Sequence, residues 1–392
     1  MRTVRTLAVA AVVAGAVGFV GAQRPSPRTP ASQERRPGTT EVRPGQFRAP
    51  EFPPPSIVDY RPTSTLVVDE HPVPKAKYPV VDIHSHQRAT AENMAELVGE
   101  MDALNLQVLV NLSGGSGDRL REAVETIRAS QYTDRFRVFA NVDFRGVGPG
   151  FGRRAAAELE QDIKAGAIGL KVAKNLGMQT RKTDGTRLQV DDPELDPIWE
   201  TCARMNVPVL IHIAEPPAFF EPLDDTNERW LELALFPSRR NYGPDQVKFE
   251  TLLAERDRMF KKHPDTRFIA AHFGYHAHDL TRAARVLDAM PNLYLDVSAV
   301  LYDFGRQPRA ARAFFIKYQD RLLFGKDSYQ PTEFPYYWRV FETTDEYFDY
   351  YRDYHAFWKL YGMDLPDEAL RKLYYGNALK VTPGLPKTGF PM

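Results

Sequence analysis

The chain is 392 residues long, and its 51 basic and 51 acidic side chains balance to a formal charge of zero with no basic patch standing out, which argues against a nucleic-acid partner. Cys202 is the only cysteine, so an intrachain disulfide is excluded and stability must come from a large core. At the start, Arg2 and Arg5 precede an apolar run over residues 7–20 that closes on Val20-Gly21-Ala22, the order of a signal peptide cleaved after Ala22. The run falls short of the about 20 apolar residues that a membrane span needs. The expectation is therefore an exported chain, periplasmic or extracellular, with no stable membrane insertion after cleavage. Residues 23–75 are rich in Pro, Arg, Ser and Thr and read as a disordered linker or arm without catalytic residues, ahead of a catalytic domain over 76–392.

From Tyr78 onward short apolar or β-branched runs alternate with amphipathic segments. Strands are predicted over residues 80–83, 107–112, 136–144, 167–172, 207–213, 268–271, 293–297 and 321–324. Helical periodicity falls between them, over 92–105, 118–130, 153–165, 193–206, 247–262, 280–290 and 308–318. Eight strands alternating with helices are the sequence form of an α/β fold of the (β/α)8 TIM-barrel type. A doubly wound open sheet lacks support, because no Gly-rich phosphate fingerprint follows the first strand.

In such a barrel the chemistry lies at the C-terminal strand ends, and the candidates fall there. Val-Val-Asp-Ile-His-Ser-His, residues 80–86, puts Asp82, His84 and His86 on one face of the first strand, so two imidazoles point at one place. Imidazole suits Zn, Fe, Mn or Ni. Lys171 follows in the fourth strand, His212 at the end of the fifth, His272 at the sixth and Asp327 at the eighth. Asp82 reads as a residue that orients an imidazole or a backbone group from behind. His71, His263 and His355 read as structural or solvated, and His276 and His278 lie past the sixth strand end.

These residues sit in motifs that resemble the amidohydrolase superfamily, in particular the branch with aminocarboxymuconate-semialdehyde decarboxylase and its relatives. The motifs are Val-Asp-Ile-His-Ser-His, Leu-Ile-His-Ile (210–213), Ala-Ala-His-Phe-Gly (270–274), Leu-Phe-Gly-Lys-Asp-Ser (323–328) and Tyr-Gly-Asn-Ala (375–378). The resemblance implies one divalent metal, Zn2+ with Mn2+ or Fe2+ as alternatives, held by His84, His86, His212 and Asp327. It implies His272 as the acid/base beside the metal, with Asp327 sharing in catalysis. For Lys171 it leaves two roles open, a bridge between two metals or an ammonium that binds substrate, and the second is preferred because this branch is usually mononuclear.

Two insertions exceed a minimal barrel, residues 214–246 with Arg239 and Arg240, and the aromatic-rich 329–361, whose spacing suits helices packed over the barrel. An apolar or aromatic substrate bearing a carboxylate would suit such a roof with arginines near it. The expected activity is hydrolysis of an amide, lactone or ester bond of a small organic substrate through metal-bound hydroxide. Non-oxidative decarboxylation of an aromatic or unsaturated carboxylate is the alternative, and export favours hydrolysis slightly. A barrel with a dead site is disfavoured because every ligand position is filled. Whether the chain forms a homodimer stays open.

Overall fold

The computed structural model describes residues 38–391 apart from Pro54. The apolar run over 7–20 and the cleavage point after Ala22 lie outside the described residues. Among the described residues no helix is long and apolar enough to cross a membrane. The contact pattern divides the chain between Arg61 and Pro62 into two units. In the first, Thr40–Arg43 and Gln46–Arg48 pair as an antiparallel hairpin within the stretch read as an arm, turning at Gly45, whose φ of 76° suits a residue without Cβ.

The second unit is a (β/α)8 barrel. Its strands are β1 Val80–Ser85, β2 Leu106–Asn111, β3 in two pieces (Phe136–Val138 and Ala140–Asn141), β4 Leu170–Val172, β5 Val209–Ile211, β6 Phe268–Ala270, β7 Leu293–Asp296 and β8 Leu322–Leu323. Each pairs in parallel with the next. The ring closes where Ile83 N donates to Phe324 O at 3.2 Å, Asp327 N to His84 O at 2.6 Å and His86 N to Asp327 O at 3.2 Å. Gly325 is required at that seam, since a Cβ there would lie 2.7 Å from the His84 Cβ. The paired lengths are shorter than the apolar runs suggest, because a tilted barrel strand meets its neighbour over only part of its length.

The helices cover the outside with one apolar stripe each. In α2, Gly117–Arg128, the buried residues Leu120, Ala123, Val124 and Ile127 recur at helical spacing and pack toward the sheet. Helix α1, Met94–Leu104, stops at Asn105, whose φ of 66° is a left-handed cap. The helix Leu280–Ala289 starts at Asp279, whose side chain accepts from Arg282 N at 2.9 Å. Before β1, His71 is fixed to the domain by Asp345, with its backbone N 2.8 Å and its Nδ1 2.6 Å from the carboxylate.

The aromatic insertion is helical only near its start, where a 3-10 turn over Pro331–Glu333 leads into an α-helix over Phe334–Glu342. Tyr337, Trp338, Phe341, Phe348 and Tyr350 are buried, and Phe357 is left exposed. Beyond Glu342 the chain runs without helix to Leu360, held by the Phe348–Leu360 bridge and by ring contacts. Most of the rings are core, as their density suggests, but they meet at no regular period.

Candidate metal centre at the barrel mouth

Strands β1 and β8 bring three donors together. His84, His86 and Asp327 offer ligand atoms that all lie within 4.8 Å of one another. Nε2 of His84 is 3.6 Å and Nε2 of His86 is 3.5 Å from Asp327 Oδ1. These separations are too long for hydrogen bonds. They match donors that share a cation, since two ligands at about 2.1 Å in a tetrahedral array sit about 3.4 Å apart. His84 is buried, whereas His86 and Asp327 reach solvent, so the place they surround is open on one side.

The far sides of the rings are held. His84 Nδ1 lies 2.9 Å from Asp296 Oδ2 and 2.8 Å from Ser298 Oγ, and His86 Nδ1 lies 2.7 Å from Ser113 Oγ. A carboxylate only accepts, so His84 carries its proton on Nδ1 and leaves the Nε2 lone pair toward Asp327. Burial, reinforced by Lys171, drives the His84 imidazole well below its ordinary pKa, and burial lowers His86 as well. Both rings are neutral near pH 7. Burial alone would raise Asp327, but His84, His272, His86 and Lys171 hold it far below the usual carboxylate range. Asp82, from behind, accepts from His84 N and Lys326 N at 3.1 Å each and so ties β1 to β8.

His272 sits on a turn of left-handed backbone, with φ of 55° at His272, 58° at Phe273 and at Gly274, and 55° at Tyr275. Its backbone N donates to Asp296 Oδ1 at 3.0 Å, and its Nδ1 faces the Ser298 carbonyl at 2.9 Å. A carbonyl only accepts, so Nδ1 is protonated and Nε2 has a lone pair. Burial, reinforced by His212, lowers the His272 pKa to about 4.

His212 does not join the group of His84, His86 and Asp327. Its Nδ1 is 3.2 Å from His272 Nε2, and its Nε2 is 2.7 Å from the Tyr275 hydroxyl. Lys171 is buried, with Nζ 3.2 Å from His84 Nε2, and burial lowers its pKa to about 8. His276 Nε2 lies 3.0 Å from the Arg256 guanidinium, and His278 is exposed; neither belongs to this constellation.

The strand pattern alone did not single out Asp296, Ser298, Ser113 or Tyr275. Asp296 had a readable sign, because it ends the seventh strand in Leu-Asp-Val-Ser, as the histidines end theirs. It accepts from His84, from His272 N and from Ser298 N and Oγ. His84, His272 and Asp296 form a second close group of potential ligands, but all three are buried and already bonded within the cluster.

The Arg239 and Arg240 side chains, expected near a substrate carboxylate, have other partners. Arg239 pairs with Glu232, and Arg240 Nε donates to Leu233 O at 2.9 Å.

A family model described as amidohydrolase matches residues 81–383. No curated protein matches the chain. Among solved structures, the 2,6-dihydroxybenzoate decarboxylase from Rhizobium is 18% identical over 79% of this chain and 99% of its own, with a TM-score of 0.46. A dihydroxybenzoic acid decarboxylase from Polaromonas, with bound manganese and the inhibitor 2-nitroresorcinol, is 16% identical over 79% and 97%, with a TM-score of 0.48. The 4-oxalomesaconate hydratase from Rhodopseudomonas palustris is 17% identical over 78% and 96%, with a TM-score of 0.47. Likenesses this distant bear on no residue or reaction of this chain. The family model runs from within β1 past the last barrel strand and so takes in every residue of the centre, and on that match the chain belongs to the amidohydrolase family.

Proposed function

We propose that the protein is a metal-dependent hydrolase acting on an amide, lactone or ester bond of a small organic substrate, with one divalent ion held by His84, His86, His212 and Asp327. The ion is Zn2+, with Mn2+ or Fe2+ as alternatives. The observation that carries this reading is the spacing of His84 Nε2 and His86 Nε2 from Asp327 Oδ1, 3.6 and 3.5 Å, which suits a shared cation and no direct bond. A cation there supplies Lewis-acid polarisation of a carbonyl and lowers the pKa of water toward neutrality.

The chain's own groups do the rest. His272 Nε2, which carries the lone pair because Nδ1–H is anchored on Ser298 O, accepts a proton and returns it to the leaving group. Asp296 fixes both His84 and the backbone of His272, so ligand and base keep one relative position. The Lys171 ammonium, buried beside His84, holds an anionic oxygen of the substrate.

That ammonium favours a second reading, a non-oxidative carboxy-lyase whose substrate carboxylate would pair with Lys171 while His272 delivers the proton to carbon. Metal analysis of the purified protein, followed by a screen of lactones, N-acyl compounds and aromatic carboxylates with CO2 monitored, tests both. Stoichiometric metal with release of acid or amine supports the hydrolase. CO2 release without hydrolysis moves the assignment to the lyase. A protein that takes up none of Zn2+, Mn2+ or Fe2+ ends the metal reading.

A further inference from the structure

Each of the histidines ending β5 and β6 is followed three residues later by a polar side chain that turns back onto the fifth-strand ring: His212 by Glu215, and His272 by Tyr275. The Tyr275 hydroxyl is 2.7 Å from His212 Nε2 and 3.1 Å from Glu215 Oε2. Glu215 is buried and ion-paired with Lys174. We infer that Glu215 and Tyr275 are a positioning pair that fixes the proton of His212 on Nε2 and so presents its Nδ1 lone pair to the cation, an inference that rests on the metal-site reading above.

Tyr275 has one hydroxyl hydrogen and two neighbours that could accept it. A carboxylate is the stronger acceptor, since the bond is charge-assisted. The hydroxyl therefore donates to Glu215, and its oxygen accepts from His212 Nε2–H. Nδ1 of His212 is then a lone pair. It lies 3.2 Å from His272 Nε2, which is also a lone pair because His272 Nδ1–H is committed to the Ser298 carbonyl. Two lone pairs at that distance repel unless a cation or a proton donor joins them. Without Glu215 the tyrosine would donate to Nε2 instead, the proton would move to Nδ1, and His212 would bond to His272 rather than to a metal.

The test uses metal-free full-length protein labelled with 15N-histidine, the His212 signals being assigned by their loss in His212→Gln, together with Zn2+ affinity measured against a chromophoric chelator. In the wild type, His212 is expected to be protonated at Nε2. In Glu215→Gln and Tyr275→Phe, the Nδ1–H form should gain population, and Zn2+ affinity should fall roughly 10–100-fold, as is usual when a partner that orients a ligating histidine is lost. His212 protonated at Nδ1 in the wild type would overturn the inference. So would two folded variants with wild-type affinity and wild-type His212 spectra. A wild type that binds no Zn2+ yet shows the Nε2–H signature, lost in both variants, would leave the pair standing and remove the metal reading instead.

Discussion

Asp296 is the residue on which the geometry of the centre depends most. One carboxylate accepts from the His84 ring, the His272 backbone, and both the backbone and side chain of Ser298, and all of these groups are buried. Asp296→Ala would strand those donors, at about 1–3 kcal/mol for each one left unpaired, and would free the His84 ring to turn. Metal affinity should fall roughly 10–100-fold along with stability, which equilibrium unfolding and competition titration would show; a variant with unchanged affinity would mean that His84 is oriented by Ser298 alone. His272→Asn separates the other role. The proposed ligands remain, so metal content should hold while turnover drops roughly a hundredfold to ten-thousandfold, and wild-type turnover in the metal-replete variant would remove His272 from the chemistry. The two cases also show what the sequence displays. His84, His86, His272 and Asp327 are readable because each ends a strand in a fold whose strand ends are functional. Asp296 is separated from His84 by 212 positions, and no periodicity links them.

At the scale of elements, the two insertions are joined by a buried charge cluster. Glu232, in the helix Trp230–Leu235, pairs with Arg229 and Arg239, and His355 Nε2 from the aromatic insertion lies 3.2 Å from it. Arg229 also stacks on Tyr302 at 4.6 Å, after β7. Burial opposes ionisation of Glu232, but His355 and Arg229 outweigh it and lower its pKa to about 2 from an ordinary 4.5. A depressed carboxyl contributes stability that is present above its unfolded pKa and lost as pH falls. The contribution of Glu232 is therefore complete above pH 4.5 and fades between 4.5 and about 2. In Glu232→Gln the wild-type advantage should shrink through that window, and two parallel curves of stability against pH would disprove the assignment. Composition made the burial of these insertions legible, but not their path. Rings held by contacts such as Tyr350–Tyr351 at 4.1 Å and Tyr354–His355 at 4.6 Å need no helix, so the helical expectation held only near the start of that insertion, over Pro331–Glu333 and Phe334–Glu342.

At the scale of the whole molecule, the alternation of eight strands and their helices was legible because the strands, buried on both faces, read as short continuous apolar runs while the helices between them read at helical spacing, and the family match agrees with it. The closing of the ring was less so, since the seam between β1 and β8 is short and rests on four backbone bonds and Gly325. The proposed metal spans that seam. Its removal by chelation should lower the melting temperature by several degrees, because a ligand at a thousand times its Kd stabilises the folded state by about 4 kcal/mol. Calorimetry with and without chelator, followed by metal restoration, measures this, and identical melting curves for protein shown to have lost metal would place the ion away from the seam. We also propose export. N-terminal sequencing of the native protein should begin near Gln23, and an intact Met1 would refute cleavage.

The position of the seam also fixes when the centre can exist. His84 and His86 leave the ribosome early, and Asp327 emerges only after all eight barrel strands have been made. Throughout that interval the nascent chain offers the imidazoles of the proposed site without Asp327, and the seam that brings Asp327 beside His84 and His86 is not yet formed. Loading of the proposed ion therefore belongs to the finished polypeptide, and a fragment terminated before β8 lacks both Asp327 and the closed seam that the proposed site needs. A bound ion thus marks a chain that was synthesised through its eighth strand and closed.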